Sequence, residues 1–386
     1  MFNRYYKVDF LSFYSSSTTQ YSRIFDKDKM KFLVTPKIPD GQDLEFSENG
    51  FAGFETPKFA KHRESGLSPK AKSNLKHSME TLCNLVSPSI LVNGKDKKKI
   101  TLCTLTLASP QIEKIGVYCP HYYATDKEIK KDCLNQLLTE YREIYPDLLY
   151  CWVAEKQLNG SIHFHMLLNK YIPYDDILKR WNRLQNKFGF VDRYTKKMSA
   201  LSYSEYLSET NQKENDKSLQ AYLKGVKSEW KCPNSVSVES PRGDVIAYLV
   251  KYMTKGHIDD KAEKYLKNLG AENSCDVPFY QSFYEIKGRI WQCSQQISKK
   301  RKFVCYANDY AEEFTALCKD CKILVDETYL TVCHKMKDVV SKAKTLFADY
   351  FSFLRVPDTR QTAESVVNEI FSSVAPGGIV QYSLNF

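Results

Sequence analysis

The sequence predicts an α+β fold whose core is an antiparallel sheet. Residues 100–107, 149–156 and 162–170 have the composition of short β-strands, and a Gly-containing turn joins the last two as a hairpin. Residues 125–145 and 175–187 repeat apolar side chains at helical spacing instead. Because strands joined by a tight turn pair antiparallel, we expect the sheet itself to be antiparallel.

Composition divides the chain into three expected regions. Residues 1–95 are polar, basic and rich in turn residues, which predicts an irregular N-terminal arm. Residues 96–302 contain the predicted α+β domain, in which residues 194–234 are rich in Lys, Ser and Asn and indicate an insertion with one short helix. Residues 303–386 predict a mostly helical C-terminal region whose role the sequence does not indicate.

Two helices of the central domain carry local signals. Thr125 and Glu128 have the spacing of a capping box, and Pro146 ends the helix that they begin. The next helix leads through Gly189 into a short strand expected near Val191.

Bulk composition narrows the class of protein. The chain has 386 residues, 42% of them apolar, which is enough for two or three globular domains. The net charge of +10 and the 26 Tyr suit a nucleic-acid partner, although a merely soluble basic protein has the same totals. Twelve Cys without a disulfide rhythm, and no apolar leader, predict a cytoplasmic, DNA-associated protein of a bacterial host. No apolar run reaches the roughly 18 residues of a membrane span, so no membrane partner is expected.

A candidate metal site lies on the predicted hairpin. His163 and His165 are two residues apart on a strand and therefore point to one face. If the loop is the three residues 158–160, Glu155 lies opposite His163 and Val153 opposite His165. A two-residue turn would place the carboxylate on the other face. In the three-residue register the two imidazoles and the carboxylate are expected to hold Mg²⁺ or Mn²⁺ with open positions for a phosphate.

A candidate nucleophile lies about 80 residues further on. Tyr248, Lys251, Tyr252 and Lys255 form two Tyr-x-x-Lys units on a predicted helix that ends at Gly256. A phenol with a pKa near 10 is a weak nucleophile at neutral pH, so an adjacent cation favours its reactive form. Taken alone, the same pattern also fits an amphipathic helix with core aromatics and solvated lysines.

Together these motifs resemble the HUH endonucleases, and among them the rolling-circle replication initiators of small plasmids and single-stranded-DNA phages. The residues that carry the resemblance, in chain order, are Glu155, His163, His165, Tyr248 and Tyr252. Residues 102–107 resemble the first motif of that group, and residues 288–294 resemble a segment found downstream of its tyrosines.

The resemblance implies an RRM-like antiparallel sheet with the histidine strand at its centre. It also implies that a tyrosine cleaves single-stranded origin DNA, stays attached to the 5′ phosphate and frees a 3′ hydroxyl that primes synthesis. Tyr252 is favoured for the first cut because its Lys255 lies next to the helix end. A host helicase and polymerase are expected partners, since the chain has no Gly-x4-Gly-Lys-Ser/Thr loop. The oligomeric state is left open.

A further set of basic and aromatic residues predicts contacts with the DNA backbone and bases. These candidate DNA-binding residues are Arg289, Trp291, Lys299, Lys300, Arg301 and Lys302. A solvated basic loop is the alternative interpretation.

Alternative functions are compatible with parts of the same pattern. Most mobilisation relaxases place the tyrosine ahead of the histidines, whereas a single-strand transposase and a non-catalytic DNA-binding protein both fit the order found here. An iron oxygenase with two His and one carboxylate would leave the tyrosines unexplained. A zinc site is the remaining alternative ligand set, and it would use Cys305, Cys318, Cys321, Cys333 and His334.

Overall fold

The structure is a computed structural model, and it describes residues 5–26, 31–32, 67–86, 100–115, 119–157, 159–239, 286–325, 329–355 and 365–366. In chain order the described strands are β1 (Tyr5–Tyr14), β2 (Ser17–Asp26), β3 (Lys31–Phe32), β4 (Thr101–Leu105), β5 (Ile112–Ile115), β6 (Cys119–Tyr122), β7 (Tyr150–Lys156), β8 (Ile162–Leu168), β9 (Val236–Glu239), β10 (Trp291–Cys293), β11 (Phe303–Tyr306), β12 (Lys322–Val325) and β13 (Tyr329–Cys333).

The described helices include one that combines three consecutive segments, Asp126–Glu128, the π-helical Ile129–Leu134 and Asn135–Ile144, which together are named α2. The complete order is α1 (Pro69–Val86), α2, α3 (Tyr174–Gln185), α4 (Phe190–Ser199), α5 (Tyr203–Thr210), α6 (Asp216–Lys227), α7 (Gln295–Lys300), α8 (Ala311–Asp320), α9 (Met336–Lys342) and α10 (Lys344–Arg355). None of the helices described is long and apolar enough to cross a membrane.

The chain forms two compact units, which are named here the sheet unit and the terminal unit. The sheet unit comprises Glu64–Val86 and Gly94–Ser294. The terminal unit comprises Met1–Arg63, Ser87–Asn93 and Gln295–Phe386. The expected division at residues 95 and 302 therefore differs from the structure, because helix α1 packs in the sheet unit while both ends of the chain share the other unit.

An antiparallel five-stranded sheet organises the sheet unit, in the order β10-β7-β8-β4-β9. The α+β class is confirmed, and the strand that carries both histidines lies at the centre, as the RRM-like expectation required. Side chains alternate between the two faces of such a sheet. One face forms the main core, where Trp152, Ala154, Phe164 and Met166 are buried together, as the three-residue hairpin register predicts.

Helices α2 and α3 cover this core face. The capping box at Thr125 and Glu128 is confirmed, with both of its reciprocal hydrogen bonds present. From α2, Leu137 and Tyr141 reach the core, and Trp181 of α3 joins them and donates its indole N–H to the Thr106 carbonyl at 2.7 Å. The helices thus seal one face and leave the opposite face of the sheet for other contacts.

The expected strand near Val191 is wrong. Gly189 adopts φ 71°, a left-handed conformation that suits glycine, and the chain continues as helix α4. Phe190 and Met198 are buried on one side of that helix, so packing at helical spacing overrides the β propensity of Val191. The expected insertion holds more helix than predicted, since α5 and α6 follow α4 around a small core that includes Tyr206 and Trp230.

The terminal unit contains a sheet in the order β11-β1-β2-β13-β12, to which β3 adds beside β2. Residues expected to form an irregular arm are instead the ten-residue strands β1 and β2, and the C-terminal region mixes strands with helices. Phe10, Leu11, Ser12 and Phe13 are all buried. A strand buried on both faces has no alternating pattern to read, which explains why the sequence did not reveal it.

Candidate metal centre

The β7–β8 hairpin has the three-residue loop that the sequence predicts. Glu155 pairs with His163 and Val153 with His165, and Gly160 adopts φ 77° at the left-handed position. The Gly160 N–H donates to the Gln157 carbonyl at 2.9 Å, and the Gln157 N–H donates to the Ser161 carbonyl at 2.9 Å. Both histidines and the carboxylate therefore lie on the sheet face opposite the main core, here named the site face.

Three side chains converge on this face. The Nε2 atoms of His163 and His165 each lie 3.0 Å from Oε2 of Glu155, and one ligand atom from each side chain falls within 4.8 Å of the others. The imidazole rings meet edge to face, with centroids 4.7 Å apart. Two imidazole nitrogens and one carboxylate oxygen at this separation fit a single divalent cation. The group is only partly buried, since 20% of the Glu155 side chain and 15% of the His163 side chain are exposed.

The histidines set the charge state of the carboxylate. Burial by itself raises the pKa of Glu155, but hydrogen bonds from His163 and His165 outweigh it, and the pKa falls to about 2. Glu155 is therefore ionised throughout the neutral range, as a ligand for a divalent cation must be.

Thr104 is part of the site and was not predicted as such. It pairs with His165 across β4 and β8, and its hydroxyl lies 3.2 Å from Nδ1 of that ring. A partner on one ring nitrogen fixes the orientation and tautomer of a histidine whose other nitrogen is available as a ligand. Strand periodicity could have placed Thr104 on one face of β4, but not beside His165, because the pairing of β4 with β8 joins distant residues.

A row of directly paired residues runs across the site face. Trp291 pairs with Val153, Val153 with His165, His165 with Thr104, and Thr104 with Ser237. Neighbouring strands are about 4.8 Å apart, so the strand of Trp291 lies roughly 10 Å from the strand of His165. The structure thus brings one predicted DNA-binding residue onto the same face as the predicted metal ligands.

Helix α1 covers the other end of the site face. It packs against β7 and β10, and Cys293 Sγ lies 3.7 Å from the Ser78 hydroxyl. Cys293 pairs with Cys151, which is on the same face as Glu155 four residues later. The site face is therefore closed by helix at its Cys151 end and partly open at its Glu155 end.

The other predicted DNA-binding residues have different surroundings. Arg289 is exposed and belongs to the sheet unit, whereas Lys299, Arg301 and Lys302 are half-buried and belong to the terminal unit. Lys302 Nζ lies 5.7 Å from the centroid of the Tyr21 ring.

A surface role for Lys300 does not fit the structure. Its side chain is fully buried, and Nζ donates to the Phe353 carbonyl at 2.6 Å and lies 4.1 Å from the centroid of that ring. The helical repeat of α7 turns this one lysine of the basic run inward, which composition alone could not show.

Two other expectations have different outcomes. Tyr248, Lys251, Tyr252 and Lys255 lie outside the described residues. The zinc interpretation finds no support in the described part of the chain, where the one converging group of three or more ligand side chains is that of Glu155. His334 Nε2 lies 2.8 Å from the Thr18 hydroxyl instead.

Comparison with known proteins supports a role in replication. A family model described as a replication-associated protein of the ORF2 type matches residues 100–257. The matched stretch contains β4, the hairpin with Glu155, His163 and His165, and both tyrosine motifs. Residues 100–257 are thus similar to replication-associated proteins. No curated protein and no solved structure matches the chain.

Proposed function

We propose that this protein is a rolling-circle replication initiator that nicks and rejoins single-stranded origin DNA. The observation that carries the proposal is the convergence of Glu155, His163 and His165 on the central strands of a sheet. The similarity of residues 100–257 to replication-associated proteins supports replication rather than transposition or mobilisation.

Glu155, His163 and His165 would hold Mg²⁺ or Mn²⁺ through one carboxylate oxygen and two imidazole nitrogens. Bound there, the cation would polarise the scissile phosphate and stabilise the departing 3′ oxygen. Thr104 keeps the His165 ring in place through Nδ1. Trp291, on the same face, would stack an unpaired base near the scissile phosphate, and exposed Arg289 would contact the backbone.

Tyr252 or Tyr248 is the proposed nucleophile. Its phenol oxygen bonds to phosphorus as the bond from phosphorus to the 3′ oxygen breaks, and that oxygen gains a proton to become the 3′ hydroxyl primer. Lys251 and Lys255 supply positive charge to the phenolate or the phosphate. Two tyrosines allow one to keep the 5′ end while the second cuts the regenerated origin. A host helicase and polymerase would act with the protein.

A covalent adduct tests the proposal. Single-stranded oligonucleotides that tile the DNA flanking the gene are incubated with the full chain and Mn²⁺, and adducts are separated on denaturing gels. We expect a cut and a protein-linked 5′ fragment with at least one oligonucleotide, lost in EDTA and in the double variant Tyr248→Phe/Tyr252→Phe. Cleavage that persists in the double variant, or no cleavage with any oligonucleotide, would refute it.

A further inference from the structure

A buried ion pair lies directly behind the candidate metal centre. Lys156 Nζ is 2.7 Å from Oδ1 of Asp126, and only 6% and 4% of the two side chains are exposed. Lys156 is the neighbour of Glu155 but points to the opposite side of β7. Charged groups this deeply buried require partners for every polar atom.

The ion pair extends into a network that grips the hairpin tip. Lys156 Nζ also donates to the Gly160 carbonyl at 3.0 Å. Gln111 Nε2 donates to Asp126 Oδ1 at 2.9 Å, and Gln111 Oε1 accepts the N–H of Ile162 at 2.9 Å. Ile162 immediately precedes His163. The residues next to two of the three proposed ligands are therefore held by the same buried group.

The network also reaches the strand that bears Trp291. The N–H of Lys287 donates to Asp126 Oδ2 at 3.0 Å, and the carbonyl of Lys287 accepts from Lys130 Nζ at 2.6 Å. Shortly afterwards in the chain, the Ile290 carbonyl accepts the N–H of Ala154 at 2.8 Å. One aspartate at the start of α2 thus joins the hairpin tip to the segment that enters β10.

We propose that Asp126 and Lys156 are positioning residues, which fix the register of the hairpin tip so that Glu155 meets His163 and His165. Register has this importance because a slip of one residue would turn the Glu155 carboxylate to the other face. The proposal rests on the proposed function in so far as the three side chains bind a divalent cation. Neither Asp126 nor Lys156 contacts the substrate.

Mn²⁺ binding by the full chain tests the proposal without any DNA. Free Mn²⁺ is measured by electron paramagnetic resonance during titration, and the melting temperature is recorded in parallel. Lys156→Met and Asp126→Asn are each expected to raise the Kd for Mn²⁺ about 10- to 100-fold, the range typical of residues that orient metal ligands. Each is also expected to lower the melting temperature, since each leaves a buried charge unpaired.

The double variant Asp126→Asn/Lys156→Met separates positioning from stability. It has no unpaired buried charge, so its melting temperature should recover towards the wild-type value while its Kd for Mn²⁺ stays high. Glu140→Gln is the matched control, because it unpairs Arg180 and Arg183 on the helices of the core face. This control should change the melting temperature and leave the Kd for Mn²⁺ unchanged.

The outcomes are distinct. Wild-type Kd values in the two single variants and the double variant of Asp126 and Lys156, measured below their melting temperatures, would overturn the positioning role and leave the proposed function standing. Recovery of the Kd together with the melting temperature in the double variant would also overturn it, because stability alone would then explain the single variants. Absence of Mn²⁺ binding by the wild-type chain would instead contradict the proposed function, and the positioning role with it.

Discussion

The hydroxyl of Thr104 lies 3.2 Å from Nδ1 of His165, on the opposite side of the ring from the Nε2 atom that meets Glu155. A proton on Nδ1 that is donated to this hydroxyl leaves the lone pair of Nε2 free for a cation. Each ligand of the candidate centre thus has a structural support, since the buried Asp126–Lys156 pair holds the chain beside Glu155 and His163.

Loss of the Thr104 hydroxyl should weaken metal binding without unfolding the protein. We expect Thr104→Val to raise the Kd for Mn²⁺ about tenfold, because the His165 ring loses the partner that orients it. Thr101→Val on the same strand is the control. It removes a buried hydrogen bond to the Lys170 carbonyl, so it should lower stability and leave the Kd unchanged. Equal Kd values for Thr104→Val and the wild type would show that the hydroxyl does not orient the ring.

Glu155 should be required for both Mn²⁺ binding and cleavage. Glu155→Gln keeps the shape of the side chain but removes its charge, and a bound cation supplies several kcal/mol of transition-state stabilisation, so adduct formation should fall about 100-fold or more. Adduct yield with Mn²⁺ over time measures this. Glu239→Gln is the control, because Glu239 lies on the same face at the edge strand β9 and should have no effect. Full cleavage by Glu155→Gln would exclude the carboxylate as a ligand.

Trp291 should contribute to the binding of single-stranded DNA. Stacking on an aromatic side chain stabilises a bound base by about 1–3 kcal/mol, which corresponds to a change in Kd of roughly 5- to 150-fold. We therefore expect Trp291→Leu to weaken binding of a fluorescent oligonucleotide by an amount in this range, measured by anisotropy. Tyr171→Leu is the control, since this ring is 61% exposed but lies outside the cross-strand row. Equal losses in the two variants would contradict a specific role for Trp291.

The terminal unit should lose stability in mild acid. Burial lowers the pKa of His334 from 6.5 to about 4, so the folded unit favours the neutral ring. Its stabilising contribution is complete above pH 6.5 and is lost as the pH falls towards 4. Between pH 7 and pH 5 the loss is about 2 kcal/mol.

Hydrogen exchange of the amides in β1 and β2 measures this loss, because His334 Nε2 contacts Thr18 of β2. His334→Gln keeps a polar group but does not titrate, so its stability should change less over the same pH range. The same pH dependence in the variant and the wild type would rule out His334 as its source.

Several features of the site follow from local sequence. The face shared by His163 and His165 follows from the two-residue period of a strand, and the three-residue loop with Gly160 in the left-handed conformation sets Glu155 opposite His163. The Thr125 capping box is likewise a local pattern. Each of these depends on residues within about ten positions of one another, where backbone geometry leaves few alternatives.

Other features depend on which distant segments pack together. The N-terminal strand β1 pairs with β11, for example Phe10 with Tyr306, and neither segment shows an alternating pattern because β1 is buried on both faces. In the site, only the pairing of strands brings Thr104 to His165 and Trp291 to Val153, and only the packing of α2 brings Asp126 to Lys156. The sequence by itself determined the local chemistry of the hairpin. The tertiary structure decided what supports it, because burial and long-range pairing select partners that spacing along the chain does not specify.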